Sequence, residues 1–106
     1  MPKFLIRASY TAEGAKGLMK GGGSARRAAV QKMLEGLGGK LEAMYFAYGD
    51  IDAYVIADVP DAAAGIAISL TVNASGAVHA STTPLITVEE LDAAARKSVK
   101  YTPPGA

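Results

Sequence analysis

The sequence predicts an α+β domain built on one four-stranded antiparallel sheet. Three observations carry that expectation. Segments with two-residue and with helical apolar spacing follow one another in the order β-α-β-β-α-β-α. Gly-, Pro- and Asn-containing turns separate them. Neither a composition break nor an internal repeat divides the 106 residues, so a single domain is expected.

Lys3 to Tyr10 alternates, with Phe4, Ile6, Ala8 and Tyr10 on one side, and reads as the first strand. Thr11 offers an N-cap, and a short helical piece runs to Lys20. Gly21-Gly22-Gly23 weakens or interrupts that helix, and Ser24 offers a cap for a restart. Val30, Met33, Leu34 and Leu37 then form one apolar stripe, which Gly38 and Gly39 end by taking positive φ cheaply. Leu41 to Tyr48 reads as the second strand, with Leu41, Ala43, Tyr45 and Ala47 on one face and Met44, Phe46 and Tyr48 on the other. Gly49 to Asp52 makes a turn, and Ala53 to Val59 is the third strand, apolar on both sides. Pro60-Asp61 opens a helix in which Ala63, Ile66, Ala67, Leu70 and Ala74 repeat at helical spacing. Asn73-Ala74-Ser75-Gly76 closes it; the glycosylation sequon there is read as a helix end. Val78 to Ile86 is a more polar fourth strand. Thr87-Val88-Glu89-Glu90 is a capping box that starts a last helix to about Lys100.

This order is the split βαβ, ferredoxin-like arrangement with an extra C-terminal helix: residues 1–100 as the domain, 101–106 as an extended tail. An antiparallel sheet with helices on one side should be polar on the other, yet the second and third strands are apolar on both faces. That predicts a second copy of the chain packed against the open face, as a homodimer or higher oligomer. The competing cover is the terminal helix and Pro-rich tail folding back over the sheet.

Composition narrows the functional classes. The absence of cysteine removes disulfides, thiolate zinc sites and cysteine nucleophiles. The N-terminal apolar run is too short for a secretory or membrane segment, so a cytoplasmic, membrane-free protein is expected. Residues 1–40 carry eight Lys or Arg against two acids, whereas the rest is net acidic. The total of +1 and a pI near 8.0 argue against nucleic acid as a partner.

Gly22-Gly23-Ser24-Ala25-Arg26, Leu37-Gly38-Gly39-Lys40-Leu41-Glu42, Tyr48-Gly49-Asp50-Ile51-Asp52 and the threonine-rich stretch before Thr87-Val88-Glu89-Glu90 resemble the GYD-domain proteins from about Phe4 to Lys100. The resemblance implies the dimeric α/β-barrel superfamily: a ferredoxin-like protomer and a dimer closed sheet to sheet. It brings no established activity that transfers to this chain, and it names no cofactor. Ile51 stands where the family's motif usually has tyrosine, ahead of Asp52. The wider superfamily includes monooxygenases of quinol-like substrates, isomerases, haem-handling proteins and regulatory ligand-binding domains. Small nucleases share the fold, and fold alone does not choose among these.

Four places could carry chemistry. Gly22, Gly23, Ser24, Arg26 and Arg27 offer backbone N–H groups, a hydroxyl and guanidiniums for an anion, although the glycine spacing is not that of a P-loop. A break, a serine cap and solvated arginines explain the same stretch. Asp50 and Asp52 could bind a divalent cation or, with Asp52 catalytic, serve phosphodiester cleavage; turns also recruit aspartate for local hydrogen bonds. His79 could act as a base or haem ligand, with Ser81 and Thr83 on its strand face orienting a substrate; a lone strand histidine is also ordinary surface. Tyr48 could line a ligand pocket, although the tyrosines also suit core and interface.

The first reading is a homo-oligomer binding a small apolar or anionic ligand between sheet and helices, oxygenase-like or isomerase-like. The others are a metal-dependent nuclease or nucleic-acid binder using Asp50 and Asp52, and a non-enzymatic assembly or stress-related protein.

Overall fold

The computed structural model describes residues 1–106. The elements are β1 (Lys3–Tyr10), α1 (Ala12–Gly36), β2 (Lys40–Phe46), β3 (Ala53–Asp58), α2 (Ala62–Ala74), β4 (Val78–Leu85) and α3 (Val88–Ala95). The sheet order is β2-β3-β1-β4, with every pair antiparallel. The fold is α+β and ferredoxin-like, as the element order predicts.

One sheet face carries the core. Phe4, Ile6, Val55 and Ala57 pack against Val30 and Leu34 of α1, Ile68 of α2 and Val59, and Leu34 is fully buried. α1 ends in a Schellman motif: the Gly39 N–H reaches the Leu34 carbonyl at 2.8 Å and the Gly38 N–H reaches Glu35 at 3.0 Å, with Gly38 at φ 78°.

Two expected faces are corrected. A bulge between Leu41 and Ala43 breaks the alternation of β2, so Leu41 joins Met44 against the core while Ala43 and Tyr45 stay on the open side. In α2 the repeat through Ile66 and Leu70 faces outward, 60% and 67% exposed, while Gly65 and Ile68 are buried. Gly65 decides this rotation. A Cβ there would come within 3.1 Å of the Phe4 ring, so glycine lets the helix settle on that aromatic without displacing it.

Two boundaries shift by two residues or more, and the expected glycine break narrows to one residue. β2 ends at Phe46 rather than Tyr48, and α3 ends at Ala95 rather than near Lys100. α1 is broken at a single residue, Gly22, whose φ of 81° and ψ of 170° are not helical. Ser24 makes no capping bond; Thr11 caps α1 through the Gly14 N–H at 3.3 Å.

The open face reads in rows across the sheet. Tyr45, Tyr54, Arg7 and Ser81 form one row; Ala43, Ile56, Leu5 and Thr83 form the next, without a charge. Beyond them Lys3 binds Glu42 at 2.7 Å and Asp58 at 2.9 Å, and these hydrogen bonds, to Glu42 first, hold its ammonium above the usual lysine range.

α3 does not fold back over that face. It has no buried residue, and every residue from Ile86 to Ala106 is exposed. The radius of gyration of 16.8 Å exceeds the about 13 Å expected for a compact domain of this length, because this arm stands off the body. At the other side of β4, Asn73 clamps the outer strand edge: its Nδ2 donates to the Ala80 carbonyl at 3.0 Å and its Oδ1 accepts from the Ala80 N–H at 2.8 Å. The sequon asparagine is thus a helix-end residue bonded to a strand.

Candidate functional site

The Gly22 kink shapes the candidate site. Residues before the break lean over the end of the sheet, fastened where Thr11 donates to the Ala77 carbonyl, from its N–H at 3.0 Å and its hydroxyl at 3.2 Å. Gly14 sits against that carbonyl so closely that a side chain would collide with it. Between this half-helix and the strand ends lies a cleft of about 490 Å³ lined by Tyr10, Ala15, Leu18, Met19, Phe46 and Asp52, among others. Its walls are mostly apolar. Phe46 reaches it because Gly23 opposite lacks a side chain; a Cβ there would lie 3.2 Å from the ring.

A second cleft of about 370 Å³ shares Tyr10 and Leu18 with the first and adds Gly21, Gly22 and Arg26. The Arg26 guanidinium carbon lies 6.0 Å from the centroid of the Tyr10 ring, a cation–π contact. Its Nε is buried without a hydrogen-bond partner, and it forms no ion pair. With no acid beside it, a guanidinium lining a cleft can offer its terminal N–H groups to an anion, whereas the sealed Nε lies out of a ligand's reach.

The residues singled out in the sequence are only partly brought together. Arg26 and Gly22 share the second cleft, but Arg27, Gly23 and Ser24 line a separate depression of about 270 Å³ with Met44, Tyr45 and Phe46. The two guanidiniums therefore do not converge on one anion. Asp52 lines the main cleft, where its Oδ2 accepts the Tyr10 backbone N–H at 2.8 Å. Asp50 offers its carbonyl to the Ser9 hydroxyl at 2.7 Å, and no three Asp, Glu or His side chains gather as metal ligands anywhere. His79 pairs with Ser9 and lies with Ser81 and Thr83 on the open sheet face, away from the helices and their clefts. Tyr48 is fully exposed in its loop.

Leu18, Met19 and the inward role of Tyr10 and Phe46 were not singled out from the sequence. The available signal was apolar Leu18-Met19 on a helical piece that the glycines detach from the sheet. The family model described as GYD domain matches residues 4–95, most of the chain. The chain belongs to the GYD-domain family. The match ends at the last residue of α3, so this GYD domain comprises the sheet, both clefts and all three helices. Comparison with curated proteins and with solved structures finds no match. No helix of the GYD domain is long and apolar enough to cross a membrane.

Proposed function

We propose that this GYD domain binds a small amphipathic anion at the kinked first helix and works as copies joined through the open sheet face. The observation that carries the ligand is Arg26, unpaired and held by Tyr10 beside an apolar cleft. Tyr10 and Leu18 are the walls common to both clefts. A ligand with a carboxylate at Arg26 and an apolar or aromatic body against Leu18, Met19 and Phe46 satisfies both environments. Pairing is supported by the uncharged row of Ala43, Ile56 and Leu5 and by Tyr45, 70% exposed beside it.

The test is thermal unfolding with a panel of aromatic and aliphatic carboxylates beside their neutral amides. Acids, but not amides, raise the melting temperature of the unaltered chain, by about 2.7 kcal/mol of stabilisation at one hundred times Kd. Arg26→Gln loses the shift, and Phe46→Ala reduces it. Equal shifts for Arg26→Gln, or none for any acid at millimolar concentration, refute the ligand reading. Sedimentation checks the pairing: the chain runs as a dimer or larger, and Ile56→Lys runs as a smaller species than the unaltered chain.

A further inference from the structure

Two apolar surfaces of this chain remain uncovered even when the open sheet face is paired. α2 carries no charged side chain over its 13 residues, and its only polar ones are Ser69, Thr71 and Asn73, toward its C-terminal end. Such a helix belongs in an interior, yet only Gly65 and Ile68 are buried. Beside it runs a groove of about 410 Å³ floored by Phe4, Gly65, Thr82 and Pro84 and rimmed by Ile66 and Leu70. The other surface is α3, with Val88, Leu91 and Ala95 at helical spacing; Val88 and Leu91 are 73% and 58% exposed. Ile86, before the helix, and Val99 and Tyr101, after it, extend the same apolar character.

We infer that the C-terminal arm, Ile86 to Tyr101, is an exchanged element: α3 of one copy lies in the α2–β4 groove of a second copy, and the reverse. The occupant is indicated by three features. Each surface supplies what the other lacks, a groove without a ridge and a ridge without a groove. The absence of charge on α2 leaves the acids Glu89, Glu90 and Asp92 of α3 no like charge to oppose. The arm leaves β4 through Ile86 and Thr87 alone, and Thr87 is locked in the capping box, so α3 projects outward rather than turning back onto its own α2.

The placement is compatible with a two-fold axis. Pro84, just before the arm, lines the groove, so root and receptor are neighbours and an axis near that corner sets each arm against the other copy. A standard interface takes about 20–30 residues a side, which the arm and the outward half of α2 together approach. This contact is separate from the sheet pairing proposed above.

The chain has no cysteine, which makes cross-linking clean. Ile66→Cys and Leu91→Cys, both at exposed positions, are made singly, verified by circular dichroism, mixed and oxidised. The expected product is the mixed 66–91 disulfide dimer, several-fold above either same-site dimer. The double variant then links separate chains. Closure of the double variant within one chain overturns exchange in favour of folding back, and absence of any mixed disulfide overturns docking in this groove. Sedimentation of the unaltered chain separates the two proposals: an oligomer lost in Ile56→Lys with no 66–91 link leaves sheet pairing and removes the arm. A 66–91 link that survives Ile56→Lys leaves the arm and shows it independent of the sheet.

Discussion

Asp52 can be assigned a role by substitution. Its carboxylate accepts the Tyr10 backbone N–H at 2.8 Å, tying the loop before β3 to the end of β1, 42 residues away in sequence. Asp52→Ala leaves that part-buried N–H unpaired. A hydrogen bond to a charged acceptor contributes about 1.5–3 kcal/mol, and partial solvent access places this one at the lower end, about 1.5 kcal/mol. The unfolding entropy near the midpoint is about 2.1 cal/mol/K per residue, or about 0.22 kcal/mol/K for 106 residues. The melting temperature of Asp52→Ala should therefore fall by about 7 °C. Asp52→Asn keeps an acceptor oxygen and should recover at least half of that. The assay is thermal and urea unfolding followed by far-ultraviolet circular dichroism. Wild-type stability in Asp52→Ala, or Asp52→Asn falling as far as Asp52→Ala, refutes the argument that this side chain works by accepting the Tyr10 amide.

Two further outcomes are expected. Thr82 Oγ1 is buried without a partner, so Thr82→Val, which replaces the hydroxyl by a methyl of the same shape, should stabilise the chain by about 1 kcal/mol in urea unfolding; equal or lower stability speaks against an orphaned hydroxyl. Hydrogen bonds from the Thr87 backbone, and then the pairing with its side chain, hold Glu90 below the usual glutamate range. A depressed folded value means that the cap's contribution is present above the unfolded pKa and is lost as pH falls through the folded one. Backbone amide shifts at the start of α3 should accordingly move toward random coil in acid, and the same region in Glu90→Gln should respond less.

What the sequence reveals depends on how local the physics is. The capping box of α3 involves four consecutive residues, and both of its hydrogen bonds form at 3.0 Å. The Schellman ending of α1 follows as directly from Gly38-Gly39. The orientation of α2 could not be read the same way. When Ala64, Gly65, Ile68 and Val72 are as apolar as Ile66 and Leu70, spacing names no inward face, and the decision falls to Phe4 meeting Gly65 across the core. The bulge in β2 is similarly silent in sequence, because Glu42 takes part in an ion pair with Lys3 of another strand. The site was legible in fragments. Arg26 and the glycine break were visible, but its link to Tyr10 and the loss of Arg27 to a different depression depend on the angle at Gly22.

The Asn73 clamp has a consequence for how this domain can meet itself. A bare outermost strand invites another chain to add hydrogen bonds alongside it, the route to open-ended fibres. On β4 the outward groups of Ala80 are already taken by Asn73, and Pro84, four residues on, has no N–H to offer. Ribbon-like growth along that margin is hindered at both positions, which favours contact through side chains over strand addition on this flank.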